Sequence, residues 1–226
     1  KAGFGVLLNL HYSDFWADPG KQFPPKEWAY ADADALEKHV YDYTKDVLLK
    51  LKRLDLLPEM VQVGNEINNG MSGETDVPAV MGLLSAGSRA VREIADSYGK
   101  DIRIVLHYTN IEDNEEVDTM AANLKEYGVD YDIFGLSYYP FWDGTNENMQ
   151  NVAKNIMDRY GKKVVIAETS YCYTEKDGDG FGNSFDGIED AVDGYAPTVQ
   201  SQATMIRDIC AAANEVGVLG VFYWEG

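Results

Sequence analysis

The chain has 226 residues, 45% of them apolar and 25% charged, enough for one domain with a substantial core and short for two. Its 38 acidic residues against 19 basic ones give a formal net charge of −19. That field repels phosphate backbones and anionic membranes, which argues against nucleic-acid binding and is compatible with a neutral polymer. No apolar run approaches the roughly 20 residues needed to cross a bilayer. Two cysteines, Cys172 and Cys210, make no disulfide framework and lack metal-ligand spacing.

Along the chain the segments alternate. Residues 6–10 (Val-Leu-Leu-Asn-Leu) form a strand with a polar end at His11. Over residues 32–54 apolar side chains recur in steps of three and four at Leu36, Val40, Tyr43, Val47, Leu51 and Leu54, which predicts an amphipathic helix. A strand over 60–63 stops at Gly64-Asn65-Glu66, and a helix after Pro78 carries Val80, Leu84, Val91 and Ile94. Residues 103–106 are the third strand, ending at His107. A helix over 117–127, a strand over 133–138, a helix over 148–160 and a strand over 164–167 follow. After a long loop come a helix over 198–216 and a last strand over 220–224.

Six strands and five helices in strict alternation predict parallel strands covered by helices. An open doubly wound sheet and a closed barrel both fit that rule. No glycine-rich phosphate fingerprint follows any strand, which weakens the open sheet. Polar and aromatic residues end nearly every strand: His11, Asn65-Glu66, His107-Tyr108, Tyr138-Tyr139, Glu168 and Trp224. A barrel gathers such ends around one mouth, so the expected fold is an incomplete (β/α)8 TIM barrel, with residues 1–226 as a single catalytic domain. About two βα units are expected before Lys1.

Two of these strand ends are carboxylates, Glu66 after Val-Gln-Val-Gly-Asn and Glu168 after Val-Val-Ile-Ala. An ionisable group at the end of an apolar strand is costly to bury without a purpose. Two carboxyl groups about 5 to 5.5 Å apart are what retaining glycoside hydrolysis requires, one attacking the anomeric carbon and one protonating the leaving oxygen. Asn65 is placed to hydrogen-bond a sugar 2-hydroxyl. Glu168 must stay ionised, for which Tyr138 or Tyr139 is the expected donor. His11 and His107 end strands inside the same inferred pocket.

These residues resemble those of a known family. The segments 11–19 (His-Tyr-Ser-Asp-Phe-Trp-Ala-Asp-Pro), 61–66 (Val-Gln-Val-Gly-Asn-Glu), 137–142 (Ser-Tyr-Tyr-Pro-Phe-Trp) and 221–225 (Val-Phe-Tyr-Trp-Glu) are similar to endo-β-1,4-galactanases of glycoside hydrolase family 53. The resemblance covers essentially the whole chain and places it from about the third to the eighth barrel strand. It implies retaining hydrolysis of internal β-1,4-galactosyl bonds in the neutral (arabino)galactan side chains of pectin, with Glu66 as acid/base and Glu168 as nucleophile. His11, Asp14, Asn65, His107, Tyr138, Tyr139 and Trp224 would serve the sugar at the cleavage point, and Trp16 and Trp142 would be stacking platforms. A polymer substrate implies secretion, and the full-length domain is expected to be a monomer. Two alternatives remain open: another β-1,4-glycanase of the same clan, or an inactive glycan-binding remnant.

The run 177–183 (Asp-Gly-Asp-Gly-Phe-Gly-Asn) sets oxygen ligands at its first, third and seventh positions, which suits a hard cation or simply a glycine-rich turn. It is no EF-hand, since the twelfth position is Ile188. The resemblance implies structural calcium here, held by Asp177, Asp179, the Phe181 carbonyl and Asn183, with no cofactor required for the chemistry.

Overall fold

The computed structural model describes residues 3–178, 180, 182, 185 and 188–224. The chain forms two compact units, one of Lys1–Thr109 with Asp118–Gly135 and one of Asn110–Val117 with Leu136–Gly226. Strands β1 (Leu7–Leu10), β2 (Met60–Val63), β3 (Arg103–Tyr108), β4 (Ile133–Ser137), β5 (Lys163–Thr169) and β6 (Val221–Tyr223) follow chain order in the sheet. Helices α1 (Ala33–Arg53), α2 (Val77–Tyr98), α3 (Asn114–Glu126), α4 (Asn146–Tyr160) and α5 (Val199–Glu215) alternate with them.

In the first unit β1 pairs with β2, and β2 with β3, in parallel. Parallel strands need helical crossovers, and α1 and α2 provide them. The register aligns Leu10 with Val63 and Asn9 with Gln62. A Cβ added to Gly87 of α2 would lie 2.6 Å from Val63 Cγ1, so Val63 faces the helices across a residue that has no side chain. Side chains alternate along a strand, so Val61 shares that face while Asn9 and Gln62 occupy the other. Val61, Val63 and Ile104 are fully buried, each stabilising the fold by about 1.5–3 kcal/mol.

Helix α1 begins at Asp32, whose side chain accepts from Ala35 N at 3.0 Å, and ends with Lys50, Lys52 and Arg53 against the negative end of the helix dipole. Its buried stripe is Leu36, Val40, Thr44 and Leu48, whereas Tyr43 and Leu54 of the expected stripe are exposed. The stripe is rotated because Thr44, a polar residue, is satisfied in the core: its hydroxyl donates to Val40 O and meets Tyr12 Oη, both at 2.7 Å. Helix α2 buries Val80, Leu84, Val91 and Ile94, the predicted face. It closes on Gly99, whose φ of 58° suits the left-handed cap.

In the second unit β5 pairs in parallel with β6. Helix α4 is capped by Thr145 and α5 by Thr198, each hydroxyl accepting a backbone N–H of its first turn. The rings of Phe141, Tyr171, Phe185 and Tyr195 meet edge-on or tilted at 5.9–6.4 Å, with Tyr171 and Phe185 buried. Cys172 and Cys210 are free thiols.

Candidate active site

In the first unit the site is assembled around Asn65. Its Oδ1 accepts from Asn9 Nδ2 at 2.7 Å and from Gln62 Nε2 at 3.1 Å, and its Nδ2 donates to Ala17 O at 2.9 Å. His107 Nδ1 lies 3.1 Å from the same Oδ1 and 3.0 Å from Gln62 Nε2. His11 Nδ1 accepts from Ala17 N at 3.0 Å, while its Nε2 lies 3.0 Å from Asn9 Nδ2. Both ends of the Asn65 amide are thus held, so its orientation is set before any ligand arrives.

That network is uncharged at neutral pH. Burial, with a smaller contribution from facing His11, pushes the His107 imidazole down to about 3. Burial also lowers His11. Neutral imidazoles keep the hydrogen-bond pattern around Asn65 constant near neutral pH.

Glu66 follows Asn65 out of β2 through a tight bend. Gly64 has φ 83°, Glu66 has φ 46° and ψ 55°, and a 3-10 turn spans Ile67–Asn69. A glutamate in the left-handed region is strained by roughly 1–2 kcal/mol, a cost that the surroundings must offset. Gln22 contributes by donating to Asn65 O at 2.8 Å and Glu66 O at 3.2 Å. Glu66 itself is half-buried.

The segment after β1 forms a cavity of about 1030 Å³ lined by Asn9, His11, Asp14, Trp16, Trp28 and Tyr43 among others. Trp16 is 70% exposed. Asp14 Oδ2 accepts from Lys26 N at 2.9 Å, so this carboxylate also braces the loop that walls the cavity.

In the second unit Glu168 lies within β5, 8% exposed, and its Oε2 accepts from Tyr139 Oη at 3.0 Å. A hydroxyl aimed at a carboxylate favours the ionised form. Of the two tyrosines expected to donate, Tyr139 does so. Tyr138 is fully buried and donates instead to Gly144 O at 3.0 Å and Asn146 Oδ1 at 3.1 Å. Its backbone N donates to Glu168 O at 2.9 Å, which ties the end of β4 to β5. Trp142 is exposed and meets the Tyr139 ring edge-on at 5.5 Å. Trp224 N donates to Thr169 O at 2.8 Å, fixing the start of that residue beside the end of β5.

His107 is fully buried, with its Nδ1 beside the Asn65 amide oxygen. Asn9, Gln62 and Gln22 were not anticipated. For Asn9 and Gln62 a signal was present: each is the one polar residue inside an apolar strand, and buried amides need partners.

Of the expected calcium ligands, Asp177 is exposed and its Oδ1 accepts from Gly180 N at 2.8 Å, while Asp179, Phe181 and Asn183 lie outside the described residues. Among the described residues no group of three His, Cys, Asp or Glu side chains is placed to hold a metal.

The model of glycosyl hydrolase family 53 matches residues 1–226. An endo-β-1,4-galactanase of Bacillus subtilis (strain 168) is 46% identical over 225 residues, covering 99% of this chain and 51% of that protein. An arabinogalactan endo-β-1,4-galactanase of Cellvibrio japonicus (strain Ueda107) is 39% identical, covering 99% and 61%. The solved family 53 catalytic domain of Ignisphaera aggregans superposes with a TM-score of 0.91 at 39% identity, covering 98% of this chain and 62% of that one. The chain therefore spans about half to two thirds of the length of the relatives it matches. Its fold is that of the (β/α)8 barrels, with six strands among the described residues. Matched along its whole length, the chain belongs to glycosyl hydrolase family 53.

Proposed function

We propose that this chain carries the catalytic machinery of a retaining endo-β-1,4-galactanase acting on the galactan side chains of pectin. The observation that carries the reading is Glu168, buried at a strand end with the Tyr139 hydroxyl on its carboxylate, in a chain whose curated family 53 relatives bear that activity in their names. In this reading Glu168 attacks the anomeric carbon to form a glycosyl-enzyme while Glu66 protonates the departing oxygen. Glu66 then takes a proton from water, which releases the sugar with its configuration retained. Asn65, held at both ends of its amide, donates to a sugar hydroxyl beside the reacting carbon. His11, Asp14, Tyr138, Tyr139 and Trp224 bind or brace the sugar at the cleavage point. Trp16 and Trp142, with exposed rings, stack on sugars further along the polymer.

Two finer assignments accompany this reading. The substrate is a polymer that cannot enter a cell, which supports secretion; no described helix is long and apolar enough to cross a membrane. Calcium held by residues of the run 177–183 would order the loop after β5 and take no part in the reaction. Asp177 fits, being an exposed hard-oxygen donor on a glycine-bearing turn.

The test is product release from linear β-1,4-galactan, with β-1,4-glucan and mannan alongside, using this chain and a version extended to the length of its relatives. Short galacto-oligosaccharides are expected, and Glu168→Gln should reduce their release on the order of a thousandfold or more without unfolding the protein. Unchanged activity in Glu168→Gln would overturn the nucleophile assignment. Cleavage of glucan or mannan alone would replace galactan as substrate. A folded, extended protein that binds but cleaves none of the three would be a glycan-binding remnant.

A further inference from the structure

Gln22 lies in the segment after β1, just ahead of Phe23-Pro24-Pro25. Proline fixes its own φ and biases the residue before it toward extended backbone, so two consecutive prolines narrow the path of this segment. The Gln22 carbonyl accepts from Gly73 N at 2.5 Å. Pro24 packs on the same glycine, where an added Cβ would lie 3.0 Å from Pro24 Cδ. Gly73 belongs to a tight turn in which Met71 and Glu74 exchange backbone hydrogen bonds at 2.9 and 3.0 Å, with Met71 fully buried. The backbone of Gln22 therefore stands on a fixed base.

From that base the side chain reaches the bend after β2. Its Nε2 donates to Asn65 O at 2.8 Å and to Glu66 O at 3.2 Å, which uses both amide hydrogens. Those carbonyls stand on either side of the Glu66 Cα: rotation about φ moves the first relative to it, and rotation about ψ moves the second. One amide that holds both therefore fixes the pair of torsions, φ 46° and ψ 55°, and with them the direction in which the side chain leaves the backbone. The Gln22 Oε1 is buried and has no hydrogen-bond partner among the described residues, so Nε2 makes both hydrogen bonds of this amide. We propose that Gln22 is a positioning residue for the acid/base, locking the left-handed bend at Glu66 and so aiming its carboxyl at the leaving oxygen. The inference rests on the reading of Glu66 as acid/base. Gln22 acts through the backbone of Glu66 and transfers no proton itself.

Leaving groups of different basicity separate this role from packing or sugar binding. A dinitrophenolate departs without a proton, whereas a phenolate or a sugar alkoxide needs one from the general acid. A misaimed Glu66 slows only the second kind; lost binding or lost fold slows both alike. Gln22→Met keeps the length of the side chain and removes the two Nε2 contacts, and the loss of Oε1 strands no donor. The assay is kcat/KM on aryl β-1,4-galactobiosides, which reports the step that forms the glycosyl-enzyme. Gln22→Met is expected to lose on the order of ten- to a hundredfold on the phenyl glycoside and no more than about threefold on the dinitrophenyl glycoside. Glu66→Ala gives the reference pattern, and adding Gln22→Met to it should cost no more than about twofold further, because the two act as one unit.

Equal losses on the two glycosides, no loss on either, or full additivity in the double variant would overturn the proposal. If Glu66→Ala itself shows no dependence on the leaving group, the acid/base reading falls and takes this inference with it. If Glu66→Ala shows that dependence and Gln22→Met does not, only the positioning role falls. A crystal structure of Gln22→Met reads the bend without turnover. Rotation of the Asn65 and Glu66 carbonyls away from their places would support the proposal, and a Glu66 still at φ 46° and ψ 55° would overturn it.

Discussion

Replacing Gly64 by alanine tests the bend that presents Asn65 and Glu66. Gly64 has φ +83°, where an L residue costs about 1–2 kcal/mol relative to glycine. The new Cβ would lie 2.6 Å from Ile67 Cγ2 and 3.6 Å from Met71 Sδ. Ile67 is 2% exposed and Met71 fully buried, so the methyl group has no space to retreat into and overpacking adds about 1–3 kcal/mol. The combined loss of about 2–5 kcal/mol corresponds to a Tm lower by about 5–15 °C for a chain of this size. Ile67 opens the 3-10 turn directly after Glu66, so its displacement also moves the carboxylate, and an ångström of misplacement costs up to about a hundredfold in rate. Calorimetry and galactan hydrolysis read the two effects. The cycle with Ile67→Ala, which removes the clashing methyl, should show coupling of about 1–3 kcal/mol. A Tm within about 2 °C of wild type, or additive single effects, would refute the steric argument.

Two further outcomes follow from the site and its loop. His107 is held near 3 in the fold against 6.5 unfolded, so its contribution is complete above 6.5 and is lost as pH falls toward 3. Between pH 6.5 and about 5 the fold should lose about 2 kcal/mol, and denaturant titrations of His107→Gln should lack that slope. An equally steep slope in the variant would mean that another group carries it. Calcium-stripped protein should melt lower than the calcium-loaded form, with Asp177→Ala abolishing the difference; identical melting of the stripped and loaded forms would remove the proposed ion.

Much of the architecture was legible because its signals are local. The alternation of apolar runs with stripes of period 3.6 placed the six strands and five helices within a few residues. Glu66 and Glu168 stood out as carboxylates following apolar strand residues. The string at 11–19 and its companions carried the family resemblance, which the whole-chain family match established.

What lay beyond the sequence depends on partners distant in the chain. Thr44 faces the core of α1 only because Tyr12, 32 residues earlier, meets its hydroxyl. The sequence offered Tyr138 and Tyr139 equally, but both follow the last residue of β4, and their environments decide which donates to Glu168. Asn9 and Gln62 are single polar letters in apolar runs; the parallel register that sets them side by side turns them into the support of Asn65. The sequence alone determined the elements, because periodicity acts within one segment, and its motifs carried the family resemblance. The orientation of Asn65 and the neutral state of His107 were decided by tertiary structure, because hydrogen bonding and desolvation act between segments only after they have packed.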